Sequence, residues 1–362
     1  VNETTVTSAE QFACQQCGAY LEFDAGKQVM KCDFCGSEKL IERGHESYPR
    51  EHDFFSAPAH TGWAAELSSV KCDSCGATST SKERSGVCAF CSSPYIKVIP
   101  TNKNIIRPEN LIPFQIDKAR ATQIFRTWLG KGFFRPSNLK KLGSLKLLNG
   151  MYIPFWTYDC VANSRWTAQS GYYYYETESY TTFENGRSVR RTRQVRKVRW
   201  VPSSGHRNDF YNDKLIVASR GLDYHLVFKI YPFNLGSLVP YKPEYLSGWQ
   251  AEDYSVSLQE GWGIAKTQIT SEQRSRCSRD VPGDTHRFLH VNTSFADIKY
   301  KHVLLPIWVA SYTYKKKQYH FLINGQTGEL EGYAPTSWLK VAGVVAAIAG
   351  IVAAVAYFLS IM

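Results

Sequence analysis

The sequence predicts an α+β fold, β-rich, preceded by two small four-cysteine units and followed by one apolar helix. Three observations predict it: eight of the ten cysteines fall in Cys-x-x-Cys pairs, aromatic residues reach 14% with Tyr and Phe in the lead, and residues 341–362 carry no charge. Aromatic residues favour strands. A chain of 362 residues exceeds what one core usually fills, so two or three globular units are expected.

The first unit, residues 11–42, holds Cys14-x-x-Cys17 and Cys32-x-x-Cys35; the second, residues 70–99, holds Cys72-x-x-Cys75 and Cys88-x-x-Cys91. Each pair sets two thiolates on one tight knuckle, and two facing knuckles complete the tetrahedral shell that zinc prefers. Glycine follows Cys17, Cys35 and Cys75, where a left-handed backbone frees amides to point at sulfur, whereas Ser92 follows Cys91. The same thiolates could hold iron, and redox dithiols rarely come as matched quartets. The pattern favours two zinc ribbons, each with one structural Zn2+ and no open position for catalysis.

So regular a spacing in a long chain argues against a disulfide framework and for a reducing compartment, the cytosol. The polar start, Val1 to Glu10, has no apolar run behind Lys or Arg, so no signal peptide is read there. Residues 43–69, polar and carrying His45, His52 and His60, read as a linker.

A β-rich body is predicted over 105–335. Asp117 to Leu129 reads as a helix capped by Asp117, with Ala121, Ile124, Phe125, Trp128 and Leu129 at helical spacing and Gly130 and Gly132 ending it. A second main helix is expected over 251–274, its stripe formed by Ala251, Tyr254, Leu258, Trp262, Ala265 and Ile269 and weakened by Gly261 and Gly263. Residues 172–183 and 187–201 read as strands around the turn Glu184-Asn185-Gly186. Further strands are expected at 303–314 and 318–323, after which Asn324-Gly325-Gln326-Thr327-Gly328 bends the chain into one more. The order strand, helix, Pro-aromatic strand occurs twice, in 111–200 (Ile112-Pro113-Phe114, then Ile153-Pro154-Phe155-Trp156) and in 235–333 (Val239-Pro240-Tyr241, then Leu305-Pro306-Ile307-Trp308). This reads either as a duplication or as chance recurrence of apolar-Pro pairs.

Residues 338–362 read as a transmembrane anchor. About 20 helical residues cross the ~30 Å hydrocarbon layer, and Trp338 and Lys340 stand where an indole and an ammonium hold to the interface. Lys and Arg precede the span and none follows, so the body is expected on the cytoplasmic side of the inner membrane, inserted after translation. Gly343, Ala347, Gly350 and Ala354 would let two such helices meet in a homo-oligomer.

The formal charge of +11 falls to about +7 when eight thiolates hold two zinc ions, and suits an anionic leaflet as well as nucleic acid. Its densest part, Arg187, Arg190, Arg191, Arg193, Arg196, Lys197 and Arg199, should meet anionic lipid, nucleic acid or a partner's carboxylates, unless Glu176, Glu178 and Glu184 neutralise it. His286 and His290 lack the intervening Glu of a zincin, and Cys160 and Cys277 read as core thiols. No P-loop, G-x-S-x-G or H-E-x-x-H occurs, so no catalytic residue is assigned and the chain is not expected to be an enzyme.

Beyond the cysteine pairs, Leu111-Ile112-Pro113-Phe114, Tyr152-Ile153-Pro154-Phe155-Trp156-Thr157-Tyr158-Asp159, Pro202-Ser203-Ser204-Gly205, Leu305-Pro306-Ile307-Trp308 and Asn324-Gly325-Gln326-Thr327-Gly328 carry a resemblance. Over almost its whole length the chain resembles a bacterial family labelled "primosomal protein N-prime" or "TFIIB-type zinc ribbon" proteins. The helicase part of that label finds no ATP site here. Members commonly accompany SPFH (flotillin-like) proteins and phage-shock protein A relatives in membrane-stress systems, which implies a membrane platform for such partners. The expected function is therefore a non-enzymatic adaptor whose ribbons present a docking surface. The alternative is a tethered nucleic-acid-binding zinc-ribbon protein, against which Glu22, Asp24, Asp33, Glu38, Asp73 and Glu83 weigh.

Overall fold

Three very long antiparallel strands organise the molecule, which a computed structural model describes over residues 12–42, 49–57, 68–72, 78–81, 96–99, 106–139, 144–184, 186–315 and 317–361. One small sheet comprises β1 (Leu21–Asp24), β2 (Val29–Cys32) and β3 (Glu38–Leu40). After the short β4 (His52–Asp53), a second comprises β5 (Ser68–Cys72), β6 (Thr78–Ser81) and β7 (Ile96–Ile99), with β5 between the other two. The main sheet contains β8 (Asn110–Leu111), β9 (Ser144–Glu184), β10 (Arg187–Val217), β11 (Val239–Pro240), β12 (Gln250–Ala251), β13 (Thr285–Tyr314), β14 (Lys317–Asn324) and β15 (Leu330–Gly332). Its main path runs β10-β9-β13-β14-β15, and β4, β8, β11 and β12 attach beside it. Four α-helices are described: α1 (Lys118–Gly130), α2 (Tyr224–Lys229), α3 (Leu258–Asp280) and α4 (Trp338–Ile361). The fold is thus mixed α+β and strand-rich.

Short strand, helix, long strand and return strand follow one another twice. The first passage runs β8, α1, β9, β10; the second runs β12, α3, β13, β14. β8 pairs in parallel with β13, and β12 pairs in parallel with β9, so each passage lends its opening strand to the other's long strand.

β9 is buried on both faces from Met151 to Cys160, alternates from Val161 to Ser170 and is exposed on both faces from Tyr172, so it passes from core through a half-covered stretch to surface. One core layer lies under α1, where Phe125 stacks on Phe321 and Phe114 stacks on Trp249. The opposite layer, with Ile153, Phe155, Val303 and Leu305, is closed by α2. Further along the strands α3 covers one face, packing Ala265, Ile269 and Cys277 over Tyr158, Cys160 and Trp166.

α1 starts as expected, with the Asp117 carboxylate accepting the Arg120 N–H at 2.7 Å. The second main helix differs: it begins at Leu258 and ends at Asp280, not 251–274. Its start is fixed by a capping box, in which the Ser257 hydroxyl accepts the Glu260 N–H and the Glu260 carboxylate accepts the Ser257 N–H. Ala251 lies instead in β12, beside Tyr152, and Tyr254 accepts the Ile106 N–H through its hydroxyl. Gly261 does not weaken this helix but lets it seat, since a Cβ there would stand 2.5 Å from Tyr158 Oη and 2.9 Å from Trp156. The strands expected at 172–183, 187–201, 303–314 and 318–323 are present inside longer ones.

Candidate metal centre

The first Cys-x-x-Cys turns are alike in backbone. The Gly18 N–H donates to the Cys14 carbonyl and the Gly36 N–H to the Cys32 carbonyl, both at 2.8 Å. Both glycines have φ near +75°, and a Cβ on either would meet nothing within 4 Å. Glycine is therefore needed for its left-handed conformation and not for space. β1 and β2 hold the two turns face to face.

Cys14, Cys17, Cys32 and Cys35 are brought together as the spacing predicts. Cys14 Sγ lies 3.6 Å from Cys35 Sγ, Cys17 Sγ lies 3.5 Å from Cys32 Sγ, and all four sulfurs are within 4.8 Å of one another. Four sulfurs at the usual ~2.3 Å from zinc would stand about 3.8 Å apart, so donors and spacing fit a tetrahedral metal ion. Ser37 was not singled out by sequence reasoning: its hydroxyl lies 3.0 Å from Cys14 Sγ and 3.3 Å from Cys35 Sγ. That hydroxyl, with the Cys17 and Gln16 amides, brings the Cys14 thiol down to about 6, and the Ser37 hydroxyl and amide lower Cys35, while burial and the neighbouring thiols push Cys17 up to about 12. A thiolate is the form that binds metal. Of the second quartet, Cys72 closes β5, while Cys75, Cys88 and Cys91 lie outside the described residues.

The first four-cysteine unit is built into the body. Leu21, Phe23, Met30, Cys14 and Cys32 share one core cluster with Phe114, Tyr245 and Trp308. Trp249 Nε1 donates to the Phe23 carbonyl, Ser247 Oγ to the Leu21 carbonyl, and Gln28 Nε2 to the Phe114 carbonyl. One side of this unit is therefore occupied, and the side with exposed Cys17, Phe34 and Cys35 faces outward.

Other buried ionisable groups sit at long sequence separation. Lys301 Nζ lies 2.6 Å from Asp213, 3.6 Å from Glu51 and 3.9 Å from Asp159. Burial pushes Asp159 up to about 6. Burial also raises Asp253 to about 6, and neither of its carboxylate oxygens has a hydrogen-bond partner among the described residues. His302 is enclosed, held down to about 4 by burial, with Nδ1 at 2.7 Å from the Ile106 carbonyl. His286 and His290 do not converge: a bulge at Phe288, φ 55°, sets His286 toward Ser278 on α3 and His290 on the opposite face. Cys160 and Cys277 are buried, as core thiols should be.

The arginine-rich segment forms the return strand of a two-stranded arm beyond Gly171, where pairing with β13 begins. Register puts Arg187, Arg191, Arg193, Lys197 and Arg199 on the face that carries Glu176 and Glu178, and Arg190 and Arg196 on the other. Lys197 pairs with both glutamates and Arg193 with Glu178. Among the described residues, the ion pairs of this arm lie on that one face.

α4 is long and apolar enough to cross a membrane over Trp338–Leu359, and none of that stretch is buried. Its first turn is tied to the body, with the Ser337 N–H donating to the Phe134 carbonyl and Lys340 Nζ to the Arg135 carbonyl. Exposed Phe133, Phe134 and Trp338 surround that junction.

No family model matches the chain, and no solved structure matches it. Among curated proteins it is similar to the uncharacterized protein YdjG of Bacillus subtilis (strain 168), 29% identical over 342 residues that cover 93% of this chain and 94% of that one.

Proposed function

We propose that this chain is a non-enzymatic, membrane-anchored zinc-ribbon adaptor on the cytoplasmic face of the inner membrane. The observation that carries the reading is α4, an exposed apolar helix joined to a folded body through Phe134, Arg135 and Lys340. Its flanking Trp338 and Lys340, with Arg135 beside them, suit the cytoplasmic interface. Cys14, Cys17, Cys32 and Cys35 would hold one structural zinc ion, and Cys72, Cys75, Cys88 and Cys91 a second. Four thiolates leave no open position, so the metal contributes folding energy and no chemistry. By the resemblance noted above, the partners would be SPFH (flotillin-like) or phage-shock-type proteins.

Full-length protein is expected to stay with vesicles through carbonate extraction and to carry two zinc ions per chain. Removing residues 337–362 should release the body and stop its partner reaching membranes. Partner localisation unchanged by that truncation would overturn the adaptor reading.

A further inference from the structure

The main sheet separates charge between its two faces. Residues directly opposite in an antiparallel ladder share a face. The even-numbered residues of β9 lie on the side that α3 covers as far as Ala168, with Asp209 opposite Ala162; beyond Gly171 that side is exposed and carries Glu176 and Glu178. The odd-numbered side, from Asn163 to Phe183, is uncovered among the described residues. Asn163, Arg165, Thr167, Gln169, Tyr173 and Tyr175 lie on it from β9.

Beside them on β10 are Arg190, Arg196, Trp200, His206 and Asn208; on β13 are Arg287, His290, Asn292 and Ser294. Between those levels the strands place no Asp, no Glu and no Lys on this face. The Asp284 carboxylate, next to Thr285 at the edge of this face, accepts the Tyr173 N–H at 2.7 Å. Two arginine–aromatic stacks form its centre, Arg196 over Tyr173 at 4.4 Å and Arg287 over Trp200 at 4.1 Å.

We infer that this open face is the docking surface for an acidic segment of a partner protein. The inference rests on the adaptor reading and names the surface that reading requires. Set among Ser and Thr, its arginines and aromatic rings are the residue types that dominate protein interface hot spots, and the lysine and carboxylates depleted from interface cores are absent. The face runs about 65 Å, two to three strands wide, or about 800 Å², the size of one side of a standard protein interface. Its arginines stand about 13 to 20 Å apart along the strands. A nucleic-acid strand carries a phosphate at every nucleotide, so most of its charges would go unmatched there. A membrane-surface element sets Lys and Arg on one face and Trp, Phe and Leu on the other, whereas here arginines and aromatic rings share one face and lysine is absent from it.

The test places a photo-crosslinking p-benzoylphenylalanine at Tyr175, on the open face, or at Tyr174, on the other, in the full-length protein in living cells. Position 175 is expected to capture a protein through a peptide rich in Asp and Glu, at least ten-fold more than position 174. The double variant R190E/R196E should lose that adduct at least ten-fold, while R193E, on the opposite face, should keep it. Nuclease-sensitive adducts, adducts to lipid alone, equal capture at both positions, no capture, or indifference to R190E/R196E would each overturn the inference. If the partner nevertheless leaves membranes when residues 337–362 are removed, the adaptor reading stands and only this surface is wrong.

Discussion

At Cys14 a candidate metal ligand is also part of the main core, because it belongs to the buried cluster that holds Cys32, Phe114 and Tyr245. Cys14→Ser should therefore release one zinc per chain and lower a single thermal transition of the whole body, measured by metal analysis and calorimetry. Two separate transitions would mean that the four-cysteine unit melts alone. Asp253 gives a pH-dependent prediction. Its folded pKa of about 6 lies above the ordinary aspartate value, so the folded state holds the proton longer than the unfolded state. Its contribution to stability is lost as pH rises from about 4 to about 6. Asp253→Asn should match the parent below about pH 4 and exceed it at pH 8, by on the order of 1–3 kcal/mol; denaturant midpoints across pH would show whether the gap opens. At this scale the four thiols were legible because Cys-x-x-Cys acts within one turn. Ser37, and Lys301 among Asp159, Asp213 and Glu51, were not, because only the fold brings those groups together.

At the scale of elements, α3 shows how far a local pattern can be trusted. Its apolar stripe was legible, whereas its start depended on Ser257-x-x-Glu260, a four-residue signal inside a longer apolar rhythm. Gly261→Ala should destabilise by about 1–3 kcal/mol through overpacking against Tyr158 and Trp156. Gly263→Ala, with nothing within 4 Å, should stabilise by up to about 1 kcal/mol; chemical denaturation of the pair separates packing from propensity. The Asn-Gly turn between β9 and β10 was legible from its residues alone, and Gly186 adopts φ +75°. The true length of the strands was not, because Pro154, Pro202 and Pro306 lie inside them and proline normally argues against a strand interior. The fold tolerates Pro154 inside β9, where its carbonyl still accepts the Ala218 N–H at 2.9 Å.

Across the whole molecule, β9 begins next to the segment that holds α4 and ends at the arm tip. Ser144 pairs with Thr313, the neighbouring Tyr314 hydroxyl bonds Asn138, and the turn before Asn138 receives Ser337 and Lys340. That single strand of 41 residues measures about 130 Å if extended. Its ladder rungs lie across the strand direction, so tension along it is shared by many rungs and does not unzip them one after another. Under the adaptor reading, a tug on the tip would reach the end that holds α4 with little give, and the length of β9 would set how far from the bilayer surface a bound partner rides.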